Sequence, residues 1–502
     1  NMIFRDWLKE LDYTLLQGSV DVETEDVIYD SRKAAPGKVF VAMKGIRVDG
    51  HSFIPQVLKA GVRVLVTERP VEEELKNSGL SEEELKQVTV VMVEEGRHAL
   101  ALLSAARFDH PAKKLVMIGV TGTKGKTTTT HMIRAILLAA GKKVGMIGTT
   151  GTVIGDVVTP TLNTTPESYE LHQAFAQMVE AGCEYAVMEV SSQGIKMHRT
   201  DGLYFNYAIF TNISPDHIGP GEHADFEEYL YYKTRLLNMC GIGLVNKDDK
   251  HAPQIIKAAN CELYTYSEES KEADFVASDI RYVSQPDFVG TEFHISGKYD
   301  MEVRLGIPGL FNVVNALAAV SVCSFLDLDK EKISHALEHI RVNGRMEIVY
   351  TSERCTVLVD YAHNAVSMES LLSTLRDYKP KRLVCVFGCG GNRSKDRRYS
   401  MGEIGGKMAD LSIITADNSR YEKVEDIIAD IRGSIEKTGG KFIEIPDRRE
   451  AIRYSILHAQ PGDMVAVIGK GHEDYQEING VRHHFLDREV IEETVKELGE
   501  KA

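Results

Sequence analysis

A lysine set between a glycine and a run of threonines, in VTGTKGKTTTT over residues 120–130, is a pattern that can hold phosphate. Glycine lets backbone N–H groups come close to an anion, a helix start adds its dipole, lysine neutralises charge, and a threonine hydroxyl takes a hard cation. The stretch departs from the usual G-x-x-x-x-G-K-[ST] in one place, because Val120 stands where the first glycine belongs, between Gly119 and Gly122. It offers a nucleotide Thr121, Gly122, Thr123, Lys124, Gly125, Lys126, Thr127 and Thr128. A glycine-rich turn with a solvated lysine is the plainer alternative. The order of strand, GKT and helix favours the nucleotide.

Other reactive residue types gather after apolar runs. VMEVSSQ places Glu189 and Ser191 at a strand end, where a carboxylate can share a cation with Thr127. FTNISPDHIG offers Asn212, Asp216 and His217, and YYKTRLL offers Lys233, although a loop histidine or a helical lysine is by itself ordinary surface. The stretches GCGGNRSKDRR, TADNSRYE and GKGHEDYQ bring Arg393, Asp417, Asn418, Arg420 and Glu473. Arginine matches carboxylates and acids accept from ammonium groups, so this set suits a zwitterionic amino acid, while surface ion pairs fit the composition equally well.

The elements that must position these groups alternate. KLVMIGV, VGMIGTT, EYAVMEV and YAIFTNI read as strands, with helices predicted over KTTTTHMIRAILLAAGKK and PESYELHQAFAQMVEAG. Thr165 is expected to cap the second helix, with Pro166 in its first turn. KVFVAM, RVLVTE and VTVVMV are strands of a region ending near FDHPAKK, and HSFIPQVLKAGV is predicted as a helix within it. Residues 270–305 read as antiparallel strands, and alternation resumes with CTVLVDYAH, RLVCVFGCG, LSIITADNSR and MVAVIGKGHE. Such β-α alternation implies parallel sheets covered by helices, and in open α/β sheets ligands bind at the carboxyl ends of strands. Nearly every polar cluster here follows a predicted strand.

A chain of 502 residues is long for one core, so about three domains are expected. A net charge of −15 argues against a nucleic-acid surface. Seven cysteines without a CxxC pair argue against a disulfide framework or zinc ribbon and for reduced thiols. No apolar run reaches the roughly 20 residues of a membrane span, and no basic-then-apolar leader is visible, so a cytoplasmic protein is expected. Asn1 before Met2 reads as an expression scar.

With TGTKGKTTTT, the ordered stretches NTTPE, MEVSSQ, TNISPDHI, YYKTRLL, PGLFNVVNALAA, NGRMEIV, DYAHN, FGCGGNRSKDRR, TADNSR and GKGHEDYQ resemble the signature set of the Mur ligases. Within that family they resemble the branch that adds the third residue of the peptidoglycan peptide, over essentially the whole chain. The loop without its first Walker glycine is the form this family uses. The resemblance implies three α/β domains: a UDP-binding domain at 1–108, a central ATP-binding domain at 109–341 with an antiparallel subsheet, and a Rossmann-like domain at 342–502 for the incoming amino acid and part of ATP. The implied reaction joins an amino acid, meso-diaminopimelate foremost, to UDP-N-acetylmuramoyl-L-alanyl-D-glutamate through an acyl phosphate, releasing ADP and phosphate.

By the same resemblance Lys126, Glu189, His217 and Lys233 are catalytic. Thr127 and Glu189 would hold one of two Mg²⁺ ions, and His217 a second with Lys233 carbamylated by CO₂. Asn312, Asn315, Arg345, Asp360 and His363 would contact ATP. Ser31, Thr164, Thr165, Ser191 and Arg199 would contact the UDP-muramoyl-dipeptide, and Arg393, Asp417, Asn418, Arg420, Gly469 and Glu473 the amino acid. Lysine lacks the distal carboxylate of diaminopimelate and would leave Arg420 unpaired, a cost of roughly 1–3 kcal/mol. A monomer acting on small molecules is expected.

Some positions depart from the family pattern. DNSR replaces D-N-P-R at Ser419, GCGGNRS replaces GCGGDRD at Asn392 and Ser394, Met197 stands where glutamine is common, and NGRME and DYAHN carry Asn343 and Asn364. None removes a catalytic group. They leave L-lysine or another diamino acid open as acceptor. A folylpolyglutamate-synthetase-like ligase would share the phosphate loop, but DSRKAAPGKVFVAMKG near the N-terminus argues against it. A non-catalytic nucleotide-binding paralogue would have no need of the four catalytic residues together.

Overall fold

The computed structural model describes residues 2–45, 47–213 and 223–500. The chain divides into two compact units, residues 1–266 with 321–326, and residues 267–320 with 327–502.

The first unit holds two large sheets beside a two-stranded antiparallel pair, Met2–Ile3 with Glu23–Thr24. One is five-stranded, in the order Thr14–Gln17, Thr89–Met92, Val64–Thr67, Lys38–Val41, Asp26–Ile28, parallel apart from its first strand. The predicted helix over HSFIPQVLKAGV is shorter, a 3₁₀ turn at Gly50–Phe53 leading into Ile54–Lys59, because Asp49 caps the turn through His51 N and Gly61 ends the run at φ 104°.

The other sheet runs in parallel through Val144–Gly148, Tyr185–Glu189, Val116–Thr121, Phe205–Phe210, Cys240–Asn246 and Glu262–Ser267. Its inner strands are apolar because helices cover both faces, so alternation is lost. The helix Lys126–Ala139 buries Met132, Ile133, Ile136 and Leu137, and Gly141 at φ 81° closes it, its N–H donating to Leu138 O and that of Lys142 to Leu137 O. Two short strands, Gly151–Ile154 and Val157–Thr159, extend this sheet as an antiparallel hairpin that the sequence pattern did not announce.

The two large sheets of this unit meet at the helix Ser168–Glu180. Tyr169 Oη donates to both carboxylate oxygens of Asp26 at 3.0 Å, Arg107 Nε donates to Asp26 at 2.9 Å, and Tyr29 Oη donates to Glu170 at 2.8 Å. The helix begins later than predicted. Thr165 is not its cap, since its hydroxyl donates to Glu189 O at 3.0 Å and accepts from Ser191 N at 2.9 Å. A cross-strand tie has won over a local one.

The second unit carries the expected antiparallel strands, Phe275–Gln285, Phe288–Gly297 and Met301–Leu305. Its six-stranded sheet has the order Glu347–Thr351, Cys355–Asp360, Asp463–Ile468, Arg382–Phe387, Leu411–Ile414, Phe442–Glu444, parallel except for the first strand. A separate hairpin, Tyr475–Ile478 with Val481–His484, turns at Asn479 (φ 50°) and Gly480 (φ 78°). Asn-Gly is the pair that two-residue hairpins prefer, because both positions need positive φ. All seven cysteines are free thiols. Among the described residues no helix is long and apolar enough to cross a membrane.

Candidate active site

The phosphate-type loop starts from a strand that continues one residue further than in the usual motif. Val120 is fully buried and paired with Glu189 and Ile209, so it belongs to the sheet and needs no glycine's freedom. Gly122 is the position that does. At φ 145° it approaches Thr211 so closely that a Cβ would lie 1.8 Å from the threonine hydroxyl. The neighbouring strand end then clamps the loop: Asn212 Oδ1 accepts from Lys124 N at 2.9 Å, its Nδ2 donates to Lys124 O at 2.9 Å, and Thr211 Oγ1 donates to the same carbonyl at 2.8 Å. Tyr229 Oη and Thr123 Oγ1 share a hydrogen bond of 2.8 Å.

Two lysine amines converge on one atom of this loop. Lys126 Nζ donates to Gly122 O at 2.6 Å and Lys233 Nζ donates to it at 2.8 Å. Lys233 is 1% exposed and lies 4.9 Å from the centre of the Tyr229 ring. Burial, with the nearby charge of Lys126, holds its pKa well below the usual lysine range.

Beside them Thr127 Oγ1 donates to Glu189 Oε1 at 2.9 Å, and Thr149 reaches the same carboxylate with its N–H at 2.7 Å and its hydroxyl at 3.2 Å. Glu189 is 1% exposed. A Cβ on Gly148 would fall 1.8 Å from Glu189 Oε2, so the strand end is shaped around that carboxylate. A buried hydroxyl and carboxylate in contact are the oxygen donors a hard cation such as Mg²⁺ requires. His217 and Asp216 lie outside the described residues.

The residues expected at the dipeptide are largely brought together. Thr164 Oγ1 is 3.2 Å from Thr149 Oγ1, Ser191 caps the short helix Ser192–Lys196, and Arg199 donates to Thr165 O and Glu167 Oε1 at 3.2 Å each. Ser31 sits apart from them, in a turn after Tyr29, the residue that reaches Glu170.

In the second unit Asn312 and Asn315 are buried and joined at 3.2 Å, with Asn312 also donating to Pro308 O at 2.8 Å. Asp360 accepts from Met346 N and Ala362 N at 2.9 Å each, which holds the NGRM turn carrying Arg345, and burial raises its pKa. His363 is only half-buried, its Nδ1 3.0 Å from Tyr361 O.

Of the amino-acid set, Asn418 and Glu473 meet at 2.8 Å, and Gly469 sits where a Cβ would come 2.8 Å from Asp417 Oδ2. Lys470, fully buried and inconspicuous in the sequence, binds both Glu473 (2.7 Å) and Asn418 (3.2 Å). Arg420 donates to Gly391 O at 3.0 Å and lies 3.5 Å from Glu477. The Asn-Gly hairpin holds its backbone at φ 53°, with Arg420 N donating to Glu477 O and Asn479 N donating to Arg420 O. Arg393 is exposed, and its guanidinium donates to the carbonyl of its neighbour Asn392.

Arg448, buried with Asp487 at 2.8 Å, also donates to Ala416 O and Ile468 O at 3.0 Å each. It thereby staples the two strand ends from which Asp417 and Gly469 emerge. A cavity of about 620 Å³ opens beside this loop, with Asp417, Ser419, Tyr421, Arg448 and Gln476 among its lining. Of the expected amino-acid contacts only Asp417 lines it. Thr149, Thr211, Tyr229, Lys470 and Arg448 escape a reading of the sequence alone. Position directly after a strand was the available signal for Thr149 and Thr211, and Lys470 stands two residues beyond a strand end.

Comparison with known proteins points one way. Family models match residues 24–108 (Mur ligase family, catalytic domain), 120–323 (Mur ligase middle domain) and 344–471 (Mur ligase, glutamate ligase domain). The chain is 39% identical over 488 residues, 96% of its length and 97% of the relative's, to the UDP-N-acetylmuramoyl-L-alanyl-D-glutamate--2,6-diaminopimelate ligase of Caldanaerobacter subterraneus subsp. tengcongensis. It is 37% identical to the Clostridium perfringens protein of the same name, covering 98% of this chain and 99% of that one. A solved structure of a ligase so named matches with TM-score 0.77 at 28% identity, with both chains covered in full.

Proposed function

This chain belongs to the Mur ligase family, and from that premise we infer that it joins meso-diaminopimelate to UDP-N-acetylmuramoyl-L-alanyl-D-glutamate at the expense of ATP, in peptidoglycan precursor synthesis. The substrate's glutamyl carboxylate attacks the γ-phosphorus of ATP, ADP leaves, and the amine of the amino acid displaces phosphate from the acyl phosphate, losing a proton as the amide forms. It is an ATP-dependent acid-amino-acid ligase.

The observation that carries the chemistry is the convergence of Lys126 and Lys233 on Gly122 O beside Thr127 and Glu189. Phosphoryl transfer asks for positioning and charge neutralisation more than for covalent help, and this is a hydrogen-bonded cluster of that kind, with Thr127, Glu189 and Lys233 buried. Lys126 would follow the γ-phosphoryl group, with the first-turn N–H groups of the helix Lys126–Ala139 on its oxygens. Mg²⁺ held by Thr127 and Glu189 would add positive charge to the phosphates when bound. The suppressed basicity of Lys233 suits its carbamylation by CO₂, which turns the amine into an anionic ligand for a second Mg²⁺ with His217.

We assign the division of labour as residues 1–108 for the UDP moiety, 109–341 for ATP and 342–502 for the amino acid. Thr164, Thr165, Ser191 and Arg199 would meet the dipeptide and Ser31 the uridine end. Asn312, Asn315, Arg345, Asp360 and His363 would meet the nucleotide. Arg393, Asp417, Asn418, Arg420, Gly469 and Glu473 would meet diaminopimelate. The enzyme would act in the cytoplasm, as a monomer.

Phosphate release with the UDP-muramoyl-dipeptide, Mg²⁺-ATP and bicarbonate tests the reading, comparing meso-diaminopimelate with L-lysine and L-ornithine. Diaminopimelate is expected to win by at least roughly tenfold, because only its distal carboxylate can replace the internal partners that Arg420 gives up. Equal rates, or release only with lysine, would overturn the acceptor and leave the reaction type.

A further inference from the structure

Away from the phosphate loop, in the same unit, two histidines and an aspartate converge on one point. His98, on the helix Gly96–Arg107, places its Nδ1 2.7 Å from Asp201 Oδ2, and His198 places its Nδ1 2.7 Å from the same oxygen. The ligand atoms of the three residues all lie within 4.8 Å of one another. We propose that His98, His198 and Asp201 form a binding site for one borderline divalent cation of the Zn²⁺ class, distinct from the Mg²⁺ donors Thr127 and Glu189.

The donor set decides the class. Two imidazoles and one carboxylate suit Zn²⁺, Co²⁺ or Ni²⁺, whereas Mg²⁺ prefers oxygen alone and keeps much of its water. Asp201 is anchored at 13% exposure, while the His98 and His198 side chains are 45% and 32% exposed, so the carboxylate is fixed and a cation can enter from the histidine side. His198 holds φ 59°, which turns its ring towards Asp201 from the residue just before Arg199.

Binding asks for an exchange of protons and a widening of the two 2.7 Å contacts, because donors each about 2.0 Å from a tetrahedral cation stand roughly 3.3 Å apart. Each neutral ring that now donates from Nδ1 moves its proton to Nε2 and gives the cation the Nδ1 lone pair; a charged ring releases its Nδ1 proton to solvent and binds in the same way. The aspartate oxygen becomes the third ligand, and water completes the shell. A cation there would tie the helix Gly96–Arg107 to the turn that carries Arg199.

The test is titration of the whole protein with Co²⁺, whose visible absorption reports nitrogen and oxygen ligation, with Mg²⁺ in excess to occupy the oxygen-donor site. One Co²⁺ per chain is expected, displaced by Zn²⁺. Its affinity should fall at least roughly 100-fold in His98→Gln and in His198→Gln, the upper range for losing even an outer-shell partner of a metal. His335→Gln, which breaks an exposed histidine pair with His339, should leave it unchanged. Circular dichroism of each variant separates loss of ligand from loss of fold, and both substituted histidines are surface groups. Binding that is absent, or that both variants retain at full strength, overturns the proposal.

Discussion

The phosphate loop of the first unit and the amino-acid loops of the second handle charge in opposite ways. At the loop two amines crowd one carbonyl oxygen, and one of them loses basicity through burial and the other's charge. In the second unit Lys470 sits on Glu473 and Asn418, Arg420 on Gly391 and near Glu477, and Arg398 between Glu422 and Asp430. One region is arranged to be relieved by an incoming anion. The other has to exchange internal partners for those of its ligand, so it can refuse a ligand that offers too few. Rate should depend chiefly on the first, and choice of substrate on the second.

The sharpest way to break that contrast is Lys126→Met, which leaves Lys233 alone on Gly122 O. Turnover in the phosphate-release assay should fall on the order of 10³-fold, the scale for losing one preorganised charge-stabilising group, with the Michaelis constant for the amino acid little changed. A loss below tenfold would move the cationic burden elsewhere.

Lys470→Met is the counterpart in the second unit. It removes the cation from Glu473, which keeps only the hydrogen bond from Asn418, so stability should drop by about 3 kcal/mol, as when one partner of a buried ion pair is removed. The Michaelis constant for diaminopimelate should rise well before that for ATP, and Lys470→Arg should restore part of both. A defect confined to ATP would contradict the division between the regions.

Acid should separate the units as well. His172 is 2% exposed, and among the described residues neither ring nitrogen has a hydrogen-bond partner; burial lowers its pKa from 6.5 to about 4. Between those two values the unfolded chain binds a proton that the folded protein does not. Stability therefore falls as pH drops from about 6.5 to about 4, by about 3 kcal/mol in all, and flattens below. The single tryptophan, Trp7, lies in the first unit and reports its unfolding by fluorescence. His172→Phe should flatten the profile, and an unchanged slope would assign the acid sensitivity to other groups.

The smallest effect is expected at Asn392→Asp, which restores the residue usual in the family. Asn392 is exposed, its Oδ1 accepts from Tyr421 N at 3.0 Å, and its N–H donates to Glu422 at 3.0 Å. Aspartate keeps both bonds, so the Michaelis constant for the amino acid should move by no more than about fivefold, the scale of an exposed charge.

Most of the architecture could be read in advance because buried parallel strands are apolar runs and polar clusters mark their ends. What escaped is work done across strands. Thr165 looks like a helix cap because capping is a local pattern, yet its hydroxyl joins Glu189 to Ser191, and no local signal records that. Asn212 lies in a stretch that stands out for its polar residues, but its grip on Lys124 depends on strand order. The hairpin around Asn479 and Gly480 carries its signal in plain view, whereas its hold on Arg420 does not show. Lys470 is hidden inside a motif that draws the eye to its glycine and glutamate.

The ties from Asp26 and Tyr29 to the helix Ser168–Glu180 place the five-stranded sheet and the phosphate loop in one compact unit. On the proposed reading the uridine end of the substrate is gripped at Ser31 and its growing end is phosphorylated near Lys126. A body that fixes both ends of a molecule is a ruler. Each extra residue adds up to about 3.6 Å to an extended peptide. A precursor one residue short or long would bring its carboxylate to the wrong graduation, and the order of peptide assembly would be enforced by length before any side chain is read.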